Sequence, residues 1–152
     1  MAGKPTPAGM SWDLFLAHIL AGKAVVTLLS LVTGNHYTYS VRQVGKEPMW
    51  KVFHNTGRGV PAMLCIIREA KAEGSSTLVL RFMNITREYR WHQAWEYVLT
   101  RIIRGVHPPG VVWMHENICG HCGRKLTDPH SIASGIGPEC AKKVVRREFL
   151  TR

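Results

Sequence analysis

The chain has 152 residues, with 20 Lys and Arg against 10 Asp and Glu, a formal charge of +10 and a pI near 9.9. Hydrophobic residues make up 45% of it, which excludes a disordered tail, and polar residues interrupt every apolar run, which excludes a membrane bundle. A chain of this length buries roughly 68–70% of its unfolded surface, enough for one core with a small appendage. The positive excess selects polyanionic partners, nucleic acid first and an anionic membrane surface second.

Residues 1–10 are small and carry Pro and Gly, as a loose arm does. Ser11 can cap a helix whose apolar residues Trp12, Phe15, Leu16, Ile19 and Leu20 fall on one face, and Gly22 is placed to end it. From Ala24 to Val32 the run is rich in Val and Leu. The turn Thr33-Gly34-Asn35 follows, then Tyr37, Tyr39 and Val41 alternate with Thr38, Ser40 and Arg42, so a hairpin is predicted. Apolar runs at 49–54, 62–68 and 77–83 add three strands, for an antiparallel meander of about five. A helical period then returns, with Trp91, Trp95, Val98 and Ile102 on one side, widened by Leu99 and Ile103, and His92, Gln93, Glu96, Thr100 and Arg104 on the other. Gly105 and Pro108-Pro109 stop it. The predicted class is α+β: 1–110 form a sheet packed with helices, and 111–152 a separate zinc-binding module with a basic C-terminal helix.

No segment reads as a spanning helix: Asp13, Gly22 and Lys23 break the first apolar stretch, and the turn at residues 33–35 breaks the second. The expectation is a soluble, unexported, cytoplasmic protein that does not enter a membrane. On that reading the glycosylation acceptor Asn84-Ile85-Thr86 is a chance match. Of four cysteines, Cys65 lies in the apolar run Met63–Ile67 and reads as a buried small hydrophobe.

The other three cluster. Cys119-x2-Cys122 followed by Gly123 is a zinc-knuckle spacing, two thiolates on a tight turn whose glycine lets backbone amides approach the sulfurs. Seventeen residues further, Cys140 follows Gly137-Pro138-Glu139, where Pro138 suits the first turn of a helix. Asp128 can cap a short helix between them. A knuckle followed by a ligand at a helix start is the layout of a treble-clef or ribbon zinc site. A full treble clef would place a second cysteine at 143, where this chain has Lys143. His115, preceding the knuckle on a predicted short strand Val111–Met114, is the first choice for the fourth ligand, and His130 is the second. His121 sits between the paired cysteines, where its ring tends to point away from the metal.

The stretch Cys119-x2-Cys122-Gly123-Arg124-x-Leu126-Thr127-x-Pro129-x-Ser131-x3-Gly135-x-Gly137-Pro138-x-Cys140 resembles an uncharacterised cysteine module of phage, prophage and actinobacterial proteins. Thr33-Gly34-x-His36-Tyr37-Thr38-Tyr39 resembles a hairpin that accompanies it. The resemblance implies a small phage-type accessory protein with a metal-stabilised tail. It brings no established activity.

Zinc held by four protein ligands stabilises a fold, so the expected cofactor is a structural Zn2+ and the expected protein is not an enzyme. Adjacent His115-Glu116 lacks the His-x-Glu and Pro-Cys-x-x-Cys pattern of zinc deaminases, and no histidine spacing singles out a nuclease centre. The basic residues favour binding. Lys142, Lys143, Arg146 and Arg147 collect after Cys140, with Arg124 and Lys125 just past the knuckle, and the last thirteen residues hold five Lys or Arg against Glu148 alone. These cations are the candidate phosphate contacts to DNA or RNA. The competing reading is an inhibitor or adaptor on an acidic host protein surface, which complementary charge serves equally well. Tyr37, Tyr39, Trp50 and Phe53, with Arg42 and Lys51 alongside, form a weaker candidate base-stacking platform, since alternating hairpin aromatics are usually core.

Overall fold

The computed structural model describes residues 10–55 and 61–115. They form an α+β fold of one antiparallel sheet and two helices. Ser11 accepts the amide of Asp13 through its side chain at 3.3 Å, and a 3-10 turn, Trp12–Leu14, runs into α1, Phe15–Ile19. Phe15, Ile19 and Leu20 are fully or almost fully buried, so the predicted apolar face holds, although its first turn is 3-10 rather than α.

The strands are β1 (Lys23–Ser30), β2 (His36–Gln43), β3 (Met49–Asn55), β4 (Ala62–Ala72), β5 (Ser75–Phe82) and, after α2 (Arg90–Ile103), β6 (Val111–His115). The sheet order is β5-β4-β3-β2-β1-β6, every pair antiparallel. The strands therefore number six rather than about five. The short strand Val111–Met114, assigned to the C-terminal module on sequence, extends to His115 and lies in this sheet at the β1 edge, pairing Leu28 with Trp113 and Val26 with His115. Geometry explains the return. Fourteen helical residues span about 21 Å, and the four strand spacings from β5 to β1 span about 19 Å, so α2 carries the chain back across the meander.

Turn chemistry sets the strand ends. β1 stops at Ser30, two residues before Val32, because the Ser30 hydroxyl accepts the amides of Val32 and Thr33 at 3.3 and 3.1 Å. Glu73 and Gly74 both have positive φ, 51° and 81°, and Ala72 pairs with Ser75. That is a two-residue type I′ hairpin, whose twist matches the strands and lets β4 continue to Ala72. A bulge between Val52 and Phe53 shifts the β3–β4 register, and both Leu64 and Cys65 are buried beside it. Burial pushes the Cys65 thiol up to about 12, so it stays protonated and unreactive, as a small hydrophobe does.

Both helices pack on one face of the sheet, over Val26, Tyr39, Val41, Trp50, Val52, Ile67 and Trp113. Trp95 of α2 meets Tyr39 and Phe15 at ring separations of 4.8 and 6.0 Å. Three core aromatics have their polar ends satisfied: Trp50 Nε1 donates to the Leu20 carbonyl, Trp113 Nε1 to that of Ser11, and Tyr39 Oη to that of Trp91, whereas Trp95 Nε1 is buried without a hydrogen-bond partner among the described residues.

One helical assignment is corrected. His92, placed by its period on the outer side of α2, is fully buried. The segment before the helix folds back over it, so Thr86 Oγ1 lies 2.7 Å from His92 Nδ1 and Glu96 Oε1 lies 3.2 Å from Nε2. A local period cannot register a loop that covers the helix start.

His54 on β3 stacks against Trp91 at 4.4 Å with 11° between planes, with Tyr37 in a T-shaped contact at 6.1 Å and Tyr39 tilted against it at 5.9 Å. Burial holds its imidazole below the ordinary histidine range. The unfolded chain takes up this proton near pH ~6.5 and the folded chain resists it. Protonation therefore favours unfolding, and this contribution to stability falls as pH drops below about 6.5 until the folded-state pKa has been passed. Thermal melts between pH 7 and 5 are expected to show a weaker acid dependence for His54→Gln than for the unaltered chain. Identical slopes would place the titration on another group.

Among the described residues no helix is long and apolar enough to cross a membrane.

Candidate functional site

Of the four proposed zinc ligands, His115 lies in the described structure, while Cys119, Cys122 and Cys140 fall outside the described residues. The basic candidates Arg124, Lys125, Lys142, Lys143, Arg146 and Arg147 lie outside them too, as do His121 and His130. The fold does place the first of the proposed ligands. His115 is the last residue of β6, half-buried, and paired across the sheet with Val26. The edge strand β6 thus ends at His115, four residues before Cys119 in the chain.

The structure also brings a second imidazole to it. His18, on α1, is 1% exposed, and its ring centroid lies 5.5 Å from that of His115 and 5.4 Å from Trp113. With metal–nitrogen bonds of about 2.0–2.1 Å, two imidazoles on one tetrahedral metal have centroids on the order of 5 Å apart. The separation thus permits shared ligation as well as ring packing that fixes the His115 orientation. Sequence reasoning passed over His18, yet it carries a signal. It stands three residues after Phe15 and one before Ile19, on the face of α1 that enters the core. Among the described residues no group of three or more His, Cys, Asp or Glu side chains gathers at one place.

The weaker base-stacking reading does not assemble, and the core reading of the hairpin aromatics holds for Tyr39 and Trp50. Tyr39 and Trp50 are fully buried on the helix-covered face, and Tyr37 is on that side of β2. Phe53, three residues after Trp50, falls on the opposite face with Arg42 and Lys51. Strand periodicity splits the set, because positions an odd number apart point to opposite sides.

Residues 114–145 match a family described as a family of unknown function, DUF6011. The match starts within β6 and covers the whole span from the knuckle to Cys140, which agrees with the expectation of an uncharacterised family. No curated protein matches the chain, and no solved structure does.

Proposed function

We propose that this is a non-catalytic, zinc-stabilised nucleic-acid-binding accessory protein of a phage or other mobile element. Cys119, Cys122, Cys140 and His115 hold a structural zinc, with the His18 ring against His115. The zinc joins the basic C-terminal segment to the sheet through β6, so that Arg124, Lys125, Lys142, Lys143, Arg146 and Arg147 are presented to phosphates. The observation that carries the reading is uncompensated charge. Among the described residues both ion pairs are made by histidines, His92 with Glu96 and His107 with Asp13, and no Lys or Arg is paired to a carboxylate. The unpaired cations of the fold add to the five in the last thirteen residues. A protein with this excess binds a polyanion with an affinity set by counterion release.

The test is fluorescence anisotropy of the zinc-loaded protein with labelled single-stranded DNA, duplex DNA and RNA at two salt concentrations. Binding at micromolar concentration or tighter is expected, weakening steeply with salt and reduced when Lys142, Lys143, Arg146 and Arg147 are changed to Gln. Absence of binding at low salt would overturn the proposal and make an acidic protein surface the partner to pursue.

A further inference from the structure

Strand pairing aligns cations that lie far apart in the linear sequence. Lys23 of β1 pairs with Arg42 of β2, Arg42 with Lys51 of β3, Lys51 with Ile66 of β4, and Ile66 with Arg81 of β5. Directly paired residues share a face of the sheet. Four of these five positions are cationic, one per strand, in a straight row that at ~4.8 Å per strand spans about 19 Å. It lies on the face opposite α1 and α2. Lys23, Arg42 and Arg81 are exposed and Lys51 is half-buried. Arg68 stands one step to one side, paired with Met49 and Val79, and the half-buried Phe53 one step to the other, paired with Ser40.

No Asp or Glu occupies any strand position of this face, and none of the five cations makes an ion pair among the described residues. Like charges directly opposite each other destabilise a sheet. Lys23 against Arg42 and Arg42 against Lys51 are two such pairs side by side. A solvated surface that served only solubility would gain by mixing signs here.

We propose that this face, opposite α1 and α2, is a single-stranded nucleic-acid-binding surface, in which Lys23, Arg42, Lys51 and Arg81 track one phosphate backbone across the strands and Phe53 stacks on an unpaired base. The choice of a single strand follows from the layout. One file of cations matches one backbone, and a ring beside the file meets a base only if that base is unpaired. The surface uses no residue of the basic C-terminal segment, though it rests on the nucleic-acid reading above.

Three variants of the full zinc-loaded chain test it against labelled oligothymidylate. Arg42→Gln, Lys51→Gln and Arg81→Gln combined should weaken binding tenfold or more and lower the salt slope by about 2, since each single-strand phosphate contact contributes about 0.7. The same triple variant should melt at a higher temperature than the unaltered protein when no ligand is present, because the like-charge row is relieved. Phe53→Leu, which keeps an apolar side chain, should weaken oligothymidylate by ~5-fold or more and leave an abasic strand of equal length unaffected. An unchanged affinity and salt slope in the triple variant, with binding lost instead in the Lys142, Lys143, Arg146 and Arg147 variant, would overturn this surface and leave the tail reading intact. Tighter binding of duplex than of single strand would overturn it as well. Absence of any binding by the unaltered protein would remove both.

Discussion

Trp50→Ala should cost about 3–5 kcal/mol of folding stability, the range for emptying a large aromatic site in a core. Trp50 is fully buried on β3, the third of six strands, between Gln43 of β2 and Ile67 of β4. Its loss removes the packing that joins the sheet to the helical layer, and also the hydrogen bond from Nε1 to the Leu20 carbonyl at the end of α1. That carbonyl would then lie in a cavity without its donor, which adds to the cost. Against a total stability of about 5–15 kcal/mol, the change leaves a marginal protein. Urea denaturation followed by circular dichroism is the measurement. A cost below about 1 kcal/mol would mean that the site collapses freely and that the helix–sheet contact contributes little.

Cys122→Ser has the other large effect, on the proposed zinc centre. Structural zinc supplies on the order of 10–16 kcal/mol of folding free energy in finger peptides, and a serine hydroxyl does not replace a thiolate. The variant is expected to emerge from dialysis against a mild chelator without zinc, by atomic emission, and to be cut by protease beyond residue 115 far faster than the parent. The sheet signal in circular dichroism should remain, because among the described residues the sheet and its helices already build a core that runs from Phe15 to Trp113. Full zinc retention would remove Cys122 from the ligand set. Collapse of the sheet would show that the metal supports β6, and through it the whole domain.

How far the fold was legible can be judged residue by residue. The hairpin from β1 to β2 could be read because an alternating pattern meets a Gly-Asn turn, both local features. The buried stripe of α2 could be read because Trp95, Val98, Leu99 and Ile102 repeat at helical spacing. The sequence of β6 encodes a strand but not its place in this sheet, since nothing within residues 111–115 encodes β1 as a partner. The burial of His92 escaped because its cover, the segment carrying Thr86, is contributed from outside the helix.

The candidate site divides along the same line. Cysteine spacing and charge are properties of the linear chain, and they alone carry the proposed zinc centre, the proposed polyanionic partners and the choice of His115 as a candidate ligand. The sequence by itself thus determined the element types, the α+β class and the chemistry available, because propensity, periodicity and metal-ligand spacing act over a few residues. Only the tertiary structure decided that His18 lies against His115, that Tyr39 and Trp50 face the helices while Arg42, Lys51 and Phe53 face away, and that cations from Lys23 to Arg81 fall into one row. Strand register makes those choices. It is fixed by burial on one face, by turn geometry and by the bulge at Val52 and Phe53, and these join residues far apart in the chain.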